Sequence, residues 1–137
     1  MEITETAQLA LSPEEAWRKI GDFGAVGDWH PMLAKVDSQG NERGNLRRAT
    51  GKDGSAQVER LDSYDDIHHC YGYSLVETAL PVRDYTATFR IESASDGRAI
   101  VTWSATFEPA GVDDAAAAKS VGPFLKAGTD ALTKTYG

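Results

Sequence analysis

Between residues 33 and 109 the chain reads as six strands in succession, at 33–39, 44–51, 55–64, 67–77, 83–93 and 98–108, with no helical period among them. The separators "SQGNERG", "GKDG", "YDD", "ETALPV" and "SDGR" are rich in Gly, Asp and Pro, the residues that turns require. Two strands have clear faces. In "YTATFRI", Tyr85, Ala87, Phe89 and Ile91 share one side, opposite Thr86, Thr88 and Arg90. In "IVTWSATF", Val101, Trp103, Ala105 and Phe107 oppose Thr102, Ser104 and Thr106. Such alternation predicts an antiparallel sheet with one face covered and the other wet.

Only two regions could supply the cover. Before the strands, residues 2–11 alternate as a first strand, and "SPEEAW" then opens a helix: Ser12 as N-cap, Pro13 at the first helical position, Glu15 completing a capping box. Ala16, Trp17 and Ile20 follow at helical spacing, Gly21 and Gly24 end the helix, and "AVGDWHP" forms a second short helical turn that Pro31 breaks. After the strands, 112–136 switches period, and Val121, Phe124, Leu125, Gly128, Leu132 and Tyr136 fall on one stripe. Pro123 is expected to kink or restart this helix. Burying sheet and stripe together lays the last helix across the concave face. A bent sheet cannot close fully on one helix, so an interior cavity with aromatic walls is expected.

Bulk properties narrow the function. The 137 residues fit one domain, with 21 acidic against 14 basic side chains and a net charge of −7. Phosphate backbones and anionic membranes both require a basic face, so neither nucleic acid nor a membrane is an expected partner. Cys70 is the single cysteine, which excludes an intrachain disulfide and a cysteine-based zinc cage. The stretch "MEITETAQLAL" lacks the basic-then-apolar pattern of a signal peptide, and no run of about 18 apolar residues occurs, so the expected location is cytoplasmic.

This order, with "LSPEEAWRKIGDFGAVGDWHP", "VERLD", "LPVRDYTATFRI" and "VTWSATFEP", resembles the polyketide cyclase/dehydrase-like branch of the START/Bet v 1 (SRPBCC) superfamily over essentially the whole chain. The resemblance implies a single α+β domain, 1–137, of the helix-grip type: a seven-stranded antiparallel sheet wrapped around a long C-terminal helix, with two short helices after strand 1. It further implies a hydrophobic cavity between sheet and helix, a small hydrophobic ligand (polyketide, lipid or isoprenoid-like) and no cofactor. A weaker likeness, in "VERLDSYDD", "YGYSLVE" and "LPVRDY", is to the plant abscisic acid receptors. It carries Glu59 and Tyr85 over as cavity residues. The receptor's gate loop is matched only by "TGKDG", its latch only by Ala79-Leu80-Pro81, and its ligand-anchoring lysine falls near Pro31. The hormone-receptor mechanism is therefore not implied.

Glu59 is the first candidate for chemistry. Alternation alone requires only that Glu59 and Arg60 face opposite ways; the resemblance points Glu59 inward. A buried carboxylate needs a partner, and Arg48, on a face with Leu46 and Thr50 of the preceding strand, is the expected one. The competing reading of Glu59 is a surface residue in a cross-strand pair. His30, in "DWHP", is expected near the cavity mouth as a proton shuttle; alternatively Trp29 is a core anchor and His30 binds backbone. Tyr73, Tyr85, Trp103, Phe107 and Phe124 point inward as wall residues or plain core, and Pro81 shapes a loop at the entrance. "HHC" at 68–70 suggests a metal, but on a strand His68 and Cys70 share a face while His69 points away, so no metal site is expected. No nucleophile triad or phosphate-cradling glycine motif is present.

Two functions fit these residues. One is a binder of small hydrophobic molecules, with Trp29, His30, Arg48, Glu59, Tyr73, Pro81, Tyr85, Trp103, Phe107 and Phe124 lining the site. The other is a polyketide cyclase, aromatase or dehydratase with Glu59, His30 or Tyr85 moving protons. A protein partner that responds to an occupied cavity is a third possibility.

Overall fold

A computed structural model describes all residues, 1–137. In chain order the elements are β1 (Glu2–Gln8), α1 (Pro13–Ile20), a 3-10 turn (Phe23–Ala25), α2 (Val26–Trp29), β2 (Leu33–Ser38), β3 (Leu46–Gly51), β4 (Ala56–Asp65), β5 (Cys70–Glu77), β6 (Val82–Ser93), β7 (Ala99–Pro109) and α3 (Asp114–Tyr136). The strands form one seven-stranded antiparallel sheet in the order β1-β7-β6-β5-β4-β3-β2. Five neighbouring pairs are consecutive in sequence, joined by short turns, and one long connection brings β7 beside β1. This is the helix-grip architecture: the sheet curls around α3, and α1 and α2 sit between β1 and β2.

The local signals act as the sequence predicts. The Ser12 hydroxyl accepts from the Glu15 N–H at 3.2 Å, Pro13 opens α1, and Gly21 closes it. Asp113 caps α3 by accepting from the Ala116 N–H at 2.8 Å. Strand limits fall close to those expected, with one departure. Residues 67–69 are a turn, not the start of β5: Asp65 accepts from the Ile67 and His68 N–H groups, and His69 takes a φ of 55°. His68 and His69 are therefore not on a strand, and the shared-face argument for His68 and Cys70 does not apply. The expected restart at Pro123 does not occur either, since α3 runs unbroken through it. Pro123 is exposed, so the Lys119 carbonyl that it leaves without a helical donor can turn to water instead of interrupting the helix.

The covered face of the sheet is built from the alternating residues of β6 and β7: Tyr85, Ala87, Phe89, Ile91, Val101, Trp103, Ala105 and Phe107 are all buried. Against it α3 sets Ala117, Val121, Leu125 and Leu132. At one end of this interior the packing is solid. Phe23, Leu61 and Phe89 have no exposed surface, and rings stack from Phe23 to Tyr71 (5.6 Å), Tyr71 to Phe89 (5.3 Å) and Phe89 to Trp29 (5.8 Å). Where α3 crosses Trp103 and His30, the helix carries Gly128. A Cβ there would lie 2.7 Å from the Trp103 ring and 2.8 Å from the His30 ring. Gly128 thus sets how closely the helix approaches the sheet. Gly128→Ala is expected to destabilise the fold by about 1–3 kcal/mol through overpacking, despite alanine's better helix propensity. A urea midpoint equal to or above the parent's would show that α3 can shift to make room.

Candidate ligand cavity

The β3–β4 hairpin explains where the solid core gives way. Its turn is closed by the Gly51 N–H donating to the Ser55 carbonyl at 2.7 Å, which sets Ala49 opposite Gln57 and Arg47 opposite Glu59. Each of these pairs faces the helix side, and the turn itself stands beyond the reach of α3. A cavity of about 480 Å³ opens there, within the roughly 300–1,000 Å³ typical of small-molecule sites. Gly51, Lys52, Asp53 and Ser55 edge its mouth from the turn, Pro31 and Met32 from the segment after α2, and Leu80 from the β5–β6 turn. Its walls are Val26, Leu33, Ala49, Trp103, Val121 and Phe124. Its polar corner is Arg47, Glu59, Tyr73 and Tyr85.

That corner is organised by one ion pair. Arg47 Nε donates to Glu59 Oε1 at 2.7 Å, with the arginine side chain 1% and the glutamate 12% exposed. Further parts of the guanidinium are engaged as well. One terminal nitrogen donates to the Phe23 carbonyl at 2.6 Å and to the Tyr71 hydroxyl at 3.3 Å, and the carbon lies 4.1 Å from the Phe23 ring centre and 4.5 Å from that of Tyr73. Burial alone would lower the Arg47 pKa, but the Glu59 carboxylate and the two phenols outweigh it and raise it above the ordinary value. The second oxygen of Glu59 accepts no hydrogen bond from the protein, and Glu59 borders the cavity. Arg48, expected as the partner, is instead exposed on the far face beside Val58 in the register. The strand contains two adjacent arginines, and the hairpin turn selects the first.

The other sequence candidates separate into wall and support. Tyr73 accepts from the Trp103 indole N–H at 3.0 Å, which locks two wall residues together. Burial and then the neighbouring Tyr85 and Glu59 raise the Tyr73 pKa; burial and then Glu59 raise that of Tyr85. Both phenols hold their protons throughout the neutral range. Phe107 does not border the cavity; it stacks behind Tyr85, with ring centres 5.7 Å apart. Pro81 is half-buried in its turn, and its neighbour Leu80 reaches the mouth instead. Trp29 stands behind Trp103, edge-on with centroids 5.6 Å apart, and its buried indole N–H has no acceptor.

His30 takes the second of its two expected readings, bound to backbone, and not that of a proton shuttle at the mouth. Its Nδ1 accepts from the Met32 N–H at 3.1 Å, so its Nε2 carries the proton and donates to the Phe124 carbonyl at 2.8 Å. The ring also stacks on that of Phe124 at 3.9 Å. Both nitrogens are occupied, and burial lowers its pKa to about 4, against a smaller opposing effect from the Phe124 carbonyl. His30 is a neutral clasp between α2 and α3. Of the residues sequence reasoning missed, Arg47 and Val121 matter most to the cavity. Arg47 could have been found from the turn closure, which fixes what stands opposite Glu59.

A helix-grip sheet around a half-enclosed apolar cavity with one polar corner defines a small-molecule-cavity protein. Residues 1–137 match the family described as "Polyketide cyclase / dehydrase and lipid transport", and the chain belongs to that family. Among solved structures it is similar to the protein XoxI from Bacillus cereus, with 28% identity and a TM-score of 0.91 over 98% of this chain and 94% of that one. It is likewise similar to an uncharacterized protein from Bacillus thuringiensis, with 28% identity and a TM-score of 0.89 over 98% and 97%. The Zhui aromatase/cyclase from a Streptomyces species shares the fold at 16% identity, with a TM-score of 0.81 over 98% and 92%. Among curated proteins none matches significantly. No helix is long and apolar enough to cross a membrane.

Two measurements test this geometry. Arg47→Met leaves the Glu59 carboxylate partly buried without its cation and should cost about 3–5 kcal/mol in a urea titration, while Arg47→Met combined with Glu59→Leu should regain most of it. A single-variant loss under about 1 kcal/mol would mean that the pair does not hold the corner. For His30, the folded pKa lies below the unfolded 6.5, so the unfolded chain binds the extra proton first as pH falls. Its contribution is intact above 6.5 and is lost down to about 4, by roughly 3 kcal/mol in all. His30→Gln should flatten stability against pH across that window, and an unchanged slope would place the titration elsewhere.

Proposed function

We propose that the chain reversibly binds a small hydrophobic molecule in this cavity, with apolar and aromatic walls supplying affinity and the Glu59, Tyr73 and Tyr85 corner orienting polar groups. One observation carries the reading: a cavity of about 480 Å³ ends on a carboxylate with an oxygen that no protein donor uses. An open acceptor at the inner end of a largely apolar cavity is a point at which a ligand's polar group can be oriented. The family description, which couples cyclase and dehydrase activity with lipid transport, is compatible with binding as the common element.

A second reading is favoured by the company Glu59 keeps. A carboxylate that can accept a proton shares a corner with phenols that retain theirs. On a poly-ketone chain, Glu59 would take a proton from a methylene between two carbonyls. The resulting carbanion would bond to a distant carbonyl carbon, whose oxygen takes a proton from Tyr85 as Glu59 returns its own to the phenoxide, and the remaining α-hydrogen and the new hydroxyl would then leave as water. His30, neutral and clasped outside the cavity, has no part in such a sequence.

The two readings separate by experiment. Ala49→Phe places a ring in the cavity from its wall, so the molecule released on denaturing the purified parent, identified by mass spectrometry, should be absent from this variant. Equal occupancy in the variant would remove the cavity from the function. If the chain is a cyclase, Glu59→Gln should lower turnover of a poly-ketone substrate by about 10²-fold or more while binding changes little. If it is a binder, no substrate turns over and Glu59→Gln alters affinity alone.

A further inference from the structure

The polar corner restricts which hydrophobic molecule the cavity takes, an inference that rests on the binding reading above. Going inward from the turn, the cavity-facing pairs are Ala49 with Gln57, then Arg47 with Glu59, and beyond them Leu61 closes the interior completely. The deepest charged pair therefore sits where the ligand's inner end must lie. Its two members do not present themselves equally. Arg47 spends Nε on Glu59 and one terminal nitrogen on Phe23 and Tyr71, and its faces lie against the rings of Phe23 and Tyr73, with 1% of its side chain exposed; its second terminal nitrogen has no protein acceptor. Glu59 is the more open, at 12%, and only one of its oxygens is used. What the cavity offers at depth is a negatively charged hydrogen-bond acceptor whose charge is already balanced by the adjoining guanidinium.

We propose that the ligand is a neutral hydrophobic molecule that inserts a hydroxyl first and donates it to the free oxygen of Glu59. The alternatives are disfavoured on the same geometry. A carboxylate or phosphate at the inner end would face the like charge of Glu59 and, with Arg47 already neutralised by that carboxylate, would be left as a net buried negative charge. Lys52, the one cation bordering the cavity besides Arg47, is exposed at the mouth and lies outward of the Ala49–Gln57 pair. An ammonium would find a carboxylate already neutralised by Arg47 and would be left as a net buried charge. A ketone or ether would have nothing to give Glu59 and would leave its oxygen buried and unsatisfied. The phenols of Tyr73 and Tyr85, which stay protonated, add donors for a second oxygen next to the hydroxyl.

The test compares three probes of one ring system at pH 7: 2-naphthol, 2-methoxynaphthalene and 2-naphthoate. Each is titrated into the unliganded protein while the indole N–H resonance of Trp103, which borders the cavity, is followed by NMR. The naphthol should bind at least tenfold more tightly than either of the others, since it alone is a neutral donor. In Glu59→Gln, checked for folding by circular dichroism, the naphthol-to-naphthoate ratio should fall at least fivefold. Naphthoate or the methyl ether binding as tightly as naphthol to the parent would overturn the proposal while leaving a ligand cavity in place. An unchanged ratio in the folded variant would overturn it too, by removing Glu59 from the recognition. Failure of all three to shift Trp103 up to millimolar concentration would instead defeat the binding reading and this inference with it.

Discussion

The Arg47–Glu59 pair is the constraint on which the rest of the site depends. A guanidinium with 1% of its side chain exposed is tolerable only when its charge is paired. Here the partners come from three elements: Glu59 of β4 across the hairpin, the carbonyl and ring face of Phe23 in the 3-10 turn, and the Tyr71 hydroxyl and Tyr73 ring face of β5. Arg47 thus ties the 3-10 turn to three strands. It also pins the register. A slip of one residue between β3 and β4 would turn Arg48 inward and Arg47 out, and would break all of these contacts at once.

The interior has two regimes, and Trp103 divides them. On one side, rings fill all the space, from Phe23 through Tyr71 and Phe89 to Trp29. On the other, Trp103 presents its body to the cavity while its indole N–H is held by Tyr73. The cavity wall is the outermost layer of a close-packed core, not a loop that has drifted over a gap. Such a wall is fixed in shape before any ligand arrives, which reduces the ordering cost of binding.

Much of this was legible in the sequence, because it depends on local signals. Turn residues divided the strands, alternation assigned the faces of β6 and β7, and Ser12 with Pro13 marked α1. The family pattern oriented Glu59. What sequence reading misjudged were the points at which tertiary contacts outvote a local pattern. Leu46 is the only large apolar residue of β3, so alternation drew its face inward and took Arg48 with it. In the folded chain Leu46 is only half-buried, and Ala49 and Arg47 face the interior. For His30 two readings stayed open, shuttle or backbone-bound, because nothing local says that its ring will meet a helix ninety-four residues further on. Pro123 looked like a break because its effect depends on which way its face of the helix points, and it points to water.

Phe124 connects these observations. Its ring borders the cavity and stacks on His30 at 3.9 Å, while its carbonyl accepts the His30 proton at 2.8 Å. On the other side of the same imidazole, Nδ1 holds the Met32 N–H, and Met32 edges the mouth. One neutral histidine therefore fixes both a wall residue on α3 and a mouth residue after α2. The arrangement requires that His30 carry a single proton, because Nδ1 must accept. A second proton would set N–H against N–H at Met32 and loosen the mouth from the helix. The low pKa, near 4, keeps this from happening at neutral pH. The histidine that could be read as a carrier of protons or as a backbone-bound residue serves the site by refusing a second proton.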